Sequence, residues 1–256
     1  MVLGRARFGI LERQPFPLSF VTVSGAHLYG FPSEDSDFDL RGVHVTPPEL
    51  LASLNPPRET IEDSSTEDGP LDELVTHDAR KYALLLLRNN GYVLEQIFSP
   101  LVVIEGDLAR WRELARQCIA RKHVEHYLGF ARNEWAQFHR RPQKTVKRLL
   151  YVFRVMLTGI HLLRTGEVEA NLTVLDEEFR LPYVPELVAA KRAQGEAAQL
   201  PPGKELTFYE REYLRLEALL IESHERSTLP DETPGAREAL DEFLRDLRFN
   251  RESPTA

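Results

Sequence analysis

Two aspartates, Asp37 and Asp39, stand two residues apart in the segment DFDLRGVHV over residues 37–45. Alternating apolar and polar residues predict a β-strand here, and residues two apart on a strand point to the same face. Two adjacent carboxylates repel each other, and a cation relieves that repulsion. Because Mg²⁺ prefers oxygen ligands, the pair is a candidate metal site. The same D-x-D spacing also occurs among ordinary surface residues of exposed strands.

The residues before this pair make the pattern rarer. The segment LSFVTVS over residues 18–24 is rich in β-branched and aromatic residues and stops at Gly25, which predicts a buried strand leading into a turn. A loop of about eleven residues, from Ala26 to Ser36, contains Tyr29 and Gly30 and leads directly into D-F-D. Within the second strand, Gly42 predicts a bulge or a twist point.

The helices and strands that follow in the sequence would have to position Asp37 and Asp39. Residues 55–70 are polar and contain Pro and Gly, which predicts a long loop. LDELVTH at 71–77 alternates again and predicts a strand, and Asp78 is placed to cap a helix through ARKYALLLLRN. Beyond about residue 106, apolar residues recur every three or four positions, as in amphipathic helices. We therefore expect one domain over 1–106, with strands and helices, and an all-α domain over 107–256.

Composition narrows the class of protein. The single cysteine, Cys118, excludes a disulfide framework and a cysteine-rich zinc site. The apolar runs are too short or too interrupted to span a bilayer, and the N-terminal residues do not resemble a signal peptide, so we expect a cytoplasmic protein without membrane contact. The net charge of −8 argues against general affinity for nucleic acid. However, residues 136–166 carry no acid and suit a polyanion, whereas residues 59–78 are strongly acidic and suit a metal ion. The alternative is that both segments are ordinary solvated surfaces.

The string SGAHLYGFPSEDSDFDLRGV at 24–43 resembles the DNA polymerase beta superfamily of nucleotidyltransferases. That superfamily has a Gly-Ser pair after its first strand and an acidic-hydrophobic-acidic triplet about ten residues later. The string is most similar to the RNA-repair-pathway DNA polymerase beta family, with its G-S-x-x-Y-G and S-D-x-D-x-R-G patterns. HDARKYALLLLRNNGYVLEQIFSP at 77–100 and KTVKRLLYVFRVMLTGIHLLRTGEV at 144–168 are similar to the same family. The resemblance covers roughly residues 18–170.

The resemblance implies an α+β fold, with a small mixed sheet flanked by helices and followed by an all-α C-terminal region. It implies that Asp37, Asp39 and a third acid are catalytic residues and bind two Mg²⁺ or Mn²⁺ ions. The family's third acid falls eight residues before the lysine of its Arg-Lys pair, which is Glu73, and Asp72 is the alternative. The substrate would be a nucleoside triphosphate, and the third acid would act as general base or as metal ligand.

The resemblance and the basic segment together predict a nucleotide-binding surface, in which helical spacing would bring Lys144, Lys147 and Arg154 near one another. Its candidate residues are Gly25, Ala26, Tyr29, Gly30, Ser36, Arg41, Lys144, Lys147 and Arg154. Lys147 is the first choice for the triphosphate, whereas Arg41 would pair with a carboxylate or bind phosphate, and Tyr29 would stack on a base or pack internally. The family's serine after the first glycine is Ala26 here, so either backbone amides hold the phosphates or triphosphate binding is weakened or altered.

The predicted function is therefore transfer of a nucleoside monophosphate from a nucleoside triphosphate to a hydroxyl group, with an RNA end as the favoured acceptor. A protein or a small molecule is an alternative acceptor. A non-catalytic nucleotide- or RNA-binding module is the alternative to an enzyme, and Ala26 is the residue that argues for it. The sequence does not indicate an oligomeric state.

Overall fold

The computed structural model describes residues 8–66, 72–200 and 205–249, and these form two compact units. The first unit contains residues 8–24, 37–118 and 233–249 of the described chain, and the second contains 25–36 and 119–232. The division into domains at residues 106 and 107 therefore stays a prediction. The compact units do not follow that boundary, because the helix after residue 233 belongs to the first unit and the loop before Asp37 to the second.

A five-stranded mixed sheet organises the first unit, in the order β3-β4-β2-β1-β5. Strands β2 and β4 are parallel, and the other neighbouring pairs are antiparallel. The strands are β1 (Leu18–Val23), β2 (Phe38–His44), β3 (Thr60–Ser65), β4 (Asp72–Asp78) and β5 (Val102–Ile104). The α+β class with a small mixed sheet is thus confirmed.

Strand β3 corrects the prediction of a long loop over residues 55–70. Residues 60–65 pair antiparallel with β4 and form one edge of the sheet. An edge strand buries little apolar surface, so its sequence TIEDSS lacks the alternation by which β1 and β2 are recognisable. Residues 67–70 of the predicted loop lie outside the described part of the chain.

The sheet is covered on both faces within the first unit. A short 3₁₀ helix (Gly9–Arg13) places Ile10 and Leu11 against Leu40 and Leu74. Trp111 is fully buried in a second cluster, where it contacts the rings of Phe20, Tyr82 and Phe243 edge-on. The helices of this unit are α2 (Pro48–Leu51), α3 (Ala79–Leu87), α4 (Gly91–Phe98), α5 (Leu108–Gln117) and α11 (Ala236–Phe249).

Gly42 lies where β1 and β2 approach closely, but the bulge predicted at Gly42 lies on β1 instead. The pairing register shifts between Leu18 and Phe20 on β1, opposite the end of β2. A Cβ atom at position 42 would lie 2.5 Å from the carbonyl oxygen of Phe20. The extra residue is therefore on β1, and glycine on β2 makes room for it.

In its described part, residues 25–36, 119–200 and 205–232, the second unit contains the helices α1 (Gly25–Leu28), α6 (His123–Arg140), α7 (Val146–Thr165), α8 (Leu172–Phe179), α9 (Val184–Gln194) and α10 (Leu206–Glu225). Helix α7 is apolar on most of its circumference and is buried between α6, α9 and α10. It ends at Gly166 in the left-handed conformation, with φ of 79°. Within the three described ranges, no helix combines the length and the apolar character that crossing a membrane requires.

Candidate active site

The parallel pairing of β2 and β4 brings two of the predicted acids together. In this register Asp39 lies opposite Glu73, and Leu40 lies opposite Leu74. The alternation along each strand buries the leucines on one face and leaves Asp39 and Glu73 half-buried on the other. Asp72 is 5% exposed and points to the opposite face from Glu73. The structure thus places Glu73, rather than Asp72, beside Asp39, while Asp37 is exposed immediately before β2.

Arg41 lies between these two carboxylates. One guanidinium nitrogen, Nη2, is 2.8 Å from Asp39 Oδ1 and 2.8 Å from Glu73 Oε2. The other, Nη1, donates to the carbonyl oxygen of Leu40 at 3.0 Å. Arg41 was predicted either to pair with a carboxylate or to bind phosphate, and in the structure it pairs with carboxylates. The guanidinium relieves the repulsion between the acids.

The ion pairs shift the pKa values of their members. The hydrogen bond from Arg41 is the main cause that lowers the pKa of Glu73, so Glu73 is ionised at neutral pH. Burial on its own would lower the pKa of Arg41, but Tyr92, Asp39 and Glu73 outweigh it, and the net pKa is raised. The site therefore holds an ionised Glu73 beside the permanent cation of Arg41.

The donor set fits a hard divalent cation in its chemistry. Asp39 and Glu73 present oxygens from neighbouring positions of parallel strands, and Asp37 lies one residue before β2. Within residues 8–66, 72–200 and 205–249, however, no three His, Cys, Asp or Glu side chains are already grouped closely enough to hold a metal ion. Binding a metal through all three acids therefore requires side-chain rearrangement, including release of Arg41.

Gly30 and Tyr29 pack tightly within the second unit. Gly30 has a φ of 85°, and a Cβ atom there would lie 2.0 Å from Asn171 Oδ1. The backbone N–H of Leu172 donates to the carbonyl oxygen of Tyr29 at 2.9 Å. Tyr29 is 1% exposed, and the guanidinium carbon of Arg154 lies 3.7 Å from the centre of its ring. Tyr29 is thus a packing residue in this structure, without a face open to a nucleobase.

The three predicted phosphate-binding cations of the basic segment lie in different surroundings. Lys147 is on α7 and lines a cavity of about 830 Å³. Arg154 is on the same helix two turns further on and is buried against Tyr29. Lys144 precedes α7, so helical spacing does not apply to it, and its ammonium donates to the carbonyl oxygens of Phe138, His139 and Arg141 at the end of α6. The structure does not bring these cations together.

The remaining predicted nucleotide contacts lie in the first turn and the loop of the second unit. Gly25 has a φ of 63°, and Ala26 is 4% exposed within α1. Ser36 is also buried, and its hydroxyl accepts a hydrogen bond from the backbone N–H of Ser33 at 3.0 Å. The hydroxyl of Ser36 also lies 3.2 Å from Glu196 Oε1. These residues position the loop that leads into Asp37.

Comparison with known proteins decides the family. The profile described as the RNA repair pathway DNA polymerase beta family, RlaP, matches residues 7–246. The chain belongs to the RNA repair pathway DNA polymerase beta family. The resemblance read from residues 18–170 is thereby confirmed and extends over most of the chain.

Two curated proteins and one solved structure are similar to this family member. The uncharacterized protein MJ0002 of Methanocaldococcus jannaschii is 28% identical over 83% of this chain and 87% of its own length. The uncharacterized protein YcgL of Bacillus subtilis is 28% identical over 66% of this chain and 65% of its own length. A nucleotidyltransferase-like protein from Exiguobacterium sibiricum shows 12% identity and a TM-score of 0.33, covering 98% of this chain and 80% of that one.

Membership in the RNA repair pathway DNA polymerase beta family makes this a nucleotidyltransferase-type protein. Nucleotidyltransferases generally use divalent metal ions and nucleoside triphosphates. The sequence has D-F-D-L-R at residues 37–41 and Ala26 after Gly25, and the assignment of these residues to the family's motif stays a prediction.

Sequence reasoning missed several residues around these groups. Tyr92 contributes to the raised pKa of Arg41, Asn171 approaches Gly30, and Lys191 and Glu196 hold the loop before Asp37. Lys191 and Glu196 lie in an ordinary-looking amphipathic stretch, where a lysine is usually exposed. No local signal distinguishes them, because the loop residues that they contact, Ser33 and Ser36, are more than a hundred residues away in the chain.

Proposed function

We propose that this protein is a metal-dependent nucleotidyltransferase that transfers a nucleoside monophosphate from a nucleoside triphosphate to a hydroxyl group of an RNA end. The observation that carries the proposal is the alignment of Asp39 with Glu73 on parallel strands, with Asp37 directly before β2. An Asp pair followed by an aligned third acid is the arrangement that a nucleotidyltransferase of this family needs. The family description supports RNA as the acceptor.

The proposed reaction is an in-line displacement at the α-phosphorus. The acceptor oxygen forms a bond to the α-phosphorus, and the bond from that phosphorus to the bridging oxygen of the β-phosphate breaks. Pyrophosphate leaves with the bonding electrons, and the proton of the hydroxyl passes to water. Metal ions held by Asp37, Asp39 and Glu73 would lower the pKa of the acceptor hydroxyl and neutralise the leaving group.

The electrostatics favour one of the two roles considered for Glu73. A general base at neutral pH works best with a pKa near 7. Arg41 lowers the pKa of Glu73 until metal binding releases it, and even the ordinary pKa of a glutamate, about 4.3, is well below 7. A carboxylate that stays ionised is well suited to bind a cation. We therefore assign Glu73 to metal binding rather than to proton abstraction.

The test is transfer of radiolabel from each of the four α-labelled triphosphates to RNA with a free end, in the presence of Mg²⁺ or Mn²⁺. Asp39→Asn and Glu73→Gln should each lower transfer by about 10²-fold or more, since even outer partners of metal ligands contribute 10- to 100-fold. Asp72→Asn tests the alternative third acid and should retain most activity if it folds. Glu62→Gln, an exposed acid on β3, controls for the loss of surface charge.

The result also separates the alternative functions. Label on the protein itself or on a small hydroxyl compound, with none on RNA, would assign the same chemistry to a different acceptor. Binding of triphosphate without transfer to any acceptor would indicate the non-catalytic binding module, for which the buried Ala26 and the engaged Lys144 are the supporting observations. Equal transfer by wild type and Glu73→Gln would contradict the assignment of the third acid.

A further inference from the structure

A single carboxylate in the second unit is held by two lysines. Glu196 follows the end of α9, and its Oε2 atom lies 2.5 Å from the ammonium nitrogen of Lys147. Its Oε1 atom lies 2.9 Å from the ammonium nitrogen of Lys191. Each oxygen thus has a cation of its own.

The two lysines differ in their surroundings. The side chain of Lys191 is 0% exposed, and its ammonium also donates to Ser33 Oγ at 2.5 Å. The side chain of Lys147 is 38% exposed and lines the cavity of about 830 Å³. Arg141, Arg148, Tyr151 and the acid Glu134 line the same cavity, and Arg148 Nη1 lies 3.6 Å from Glu134 Oε2. One lysine is internal, and the other faces space that a ligand can enter.

This difference determines which of the two lysines can exchange Glu196 for another anion. A buried ammonium without a counter-charge is strongly unfavourable, so the bond between Lys191 and Glu196 is structural. Burial would raise the pKa of Glu196, but Lys147 and Lys191 outweigh it and lower the net pKa, which keeps the carboxylate ionised. If Lys147 exchanges Glu196 for another anion, Glu196 still has Lys191, and no buried charge loses its partner.

We infer that Glu196 is an internal substitute for a phosphate group on Lys147, which an incoming polyphosphate displaces. The inference rests on the proposed function, because that function supplies a triphosphate for the basic cavity. An orthophosphate gains little from the exchange, since it replaces one anion by another. A tripolyphosphate carries further phosphate groups for Arg141, and for Arg148 in exchange for Glu134, so it gains additional ion pairs. Glu196 thereby weakens binding of all anions at Lys147, and the additional ion pairs allow a polyphosphate to bind where an orthophosphate does not.

The experiment measures binding of inorganic tripolyphosphate and of orthophosphate by calorimetry, without metal ions. Glu196→Gln should bind tripolyphosphate about tenfold more tightly than wild type, and its affinity for orthophosphate should rise by a similar factor. Lys147→Gln should bind more weakly, and Glu196→Gln should give no gain in the Lys147→Gln background. Glu177→Gln removes an exposed acid of α8 that lies outside the cavity, and it should match wild type.

A second variant covers the risk that Glu196→Gln leaves Lys191 without a charge and unfolds. Glu196→Asp keeps the carboxylate for Lys191 and shortens its reach to Lys147, so it should also bind tripolyphosphate more tightly. The inference is overturned if both variants bind like wild type or more weakly, if Glu177→Gln gives the same gain, or if the gain persists without Lys147. Loss of nucleotidyl transfer to every acceptor, with the exchange at Lys147 intact, would instead count against the proposed function alone.

Discussion

At the residue scale, Arg41 explains how two acids can lie side by side without a metal ion. Its guanidinium contacts both Asp39 and Glu73 at 2.8 Å and is largely shielded from water. The D-x-D spacing indicated a shared strand face, and the distance from the Arg-Lys pair indicated Glu73 rather than Asp72. The bridging of the two acids by Arg41 depended on the parallel pairing of β2 with β4, which no local pattern specifies.

Replacing Arg41 with Met should destabilise the protein by about 1–2 kcal/mol at pH 7, because hydrogen bonds to charged groups contribute at this scale and the remaining carboxylates repel. The partial exposure of Glu73 keeps the effect modest. Adding Glu73→Gln to Arg41→Met should recover part of the loss, measured by urea unfolding. A double variant no more stable than Arg41→Met would show that the repulsion contributes nothing.

Restoring the family's serine with Ala26→Ser should lower the KM for the triphosphate by roughly tenfold, since one hydrogen bond to a charged group is worth about 1.5–3 kcal/mol. The melting temperature should stay within a degree or so of wild type if the hydroxyl finds a partner. A lower melting temperature with an unchanged KM would mean that the new hydroxyl is buried in α1 without contacting phosphate.

At the element scale, charged side chains fix the ends of helices. Asp78 caps α3 by accepting from the backbone N–H of Arg80 at 2.9 Å, as its position before ARKYALLLL predicted. The same carboxylate contacts Arg248 of α11 at 2.6 Å and is 2% exposed. The local sequence predicted the cap. It did not predict the ion pair, because that pair joins residues that are 170 positions apart.

Arg248→Ala should destabilise the protein by about 3–5 kcal/mol, because it leaves the buried carboxylate of Asp78 without its cation. Arg245→Ala is a matched control on the same helix. Arg245 is 74% exposed and pairs with Asp241 four residues earlier, so its loss should cost only about 0.3–0.5 kcal/mol. Similar losses for the two variants in chemical denaturation would contradict this explanation.

Lys144→Met should destabilise α6 by about 1–3 kcal/mol, since it removes three hydrogen bonds to carbonyl oxygens and a cation at the helix C-terminus. Affinity for tripolyphosphate should remain unchanged, in contrast to Lys147→Gln. A clear loss of affinity in a variant that melts normally would return Lys144 to the phosphate-binding set that the sequence predicted.

At the scale of the whole molecule, buried histidines make stability depend on pH. Burial is the main cause that lowers the pKa of His44, His77, His123 and His126, each to about 4. These side chains are neutral in the folded state and take up protons near pH 6.5 when the chain unfolds. The unfolded state therefore binds more protons between about pH 4 and 6.5, and stability falls as the pH falls through that range.

We expect the free energy of unfolding to change little above pH 7 and to decrease below pH 6.5 by up to about 1.4 kcal/mol per pH unit for each histidine. Urea unfolding at half-unit intervals from pH 7.5 to 5 measures this slope. His123→Gln should reduce this slope by the contribution of one histidine. A flat profile down to pH 5 would show that these imidazoles are protonated without cost in the folded state.

The sequence by itself determined the fold class, the strands that carry Asp39 and Glu73, the cap of α3 and the helical nature of the chain beyond residue 106. These features follow from local periodicity, turn residues and a short motif. The tertiary structure decided the polar edge strand β3, the burial of Tyr29 with Arg154, and the hold of Lys191 and Glu196 on the loop before Asp37. These depend on long-range pairing, since the free energy of a buried charge is set by partners that only folding brings near.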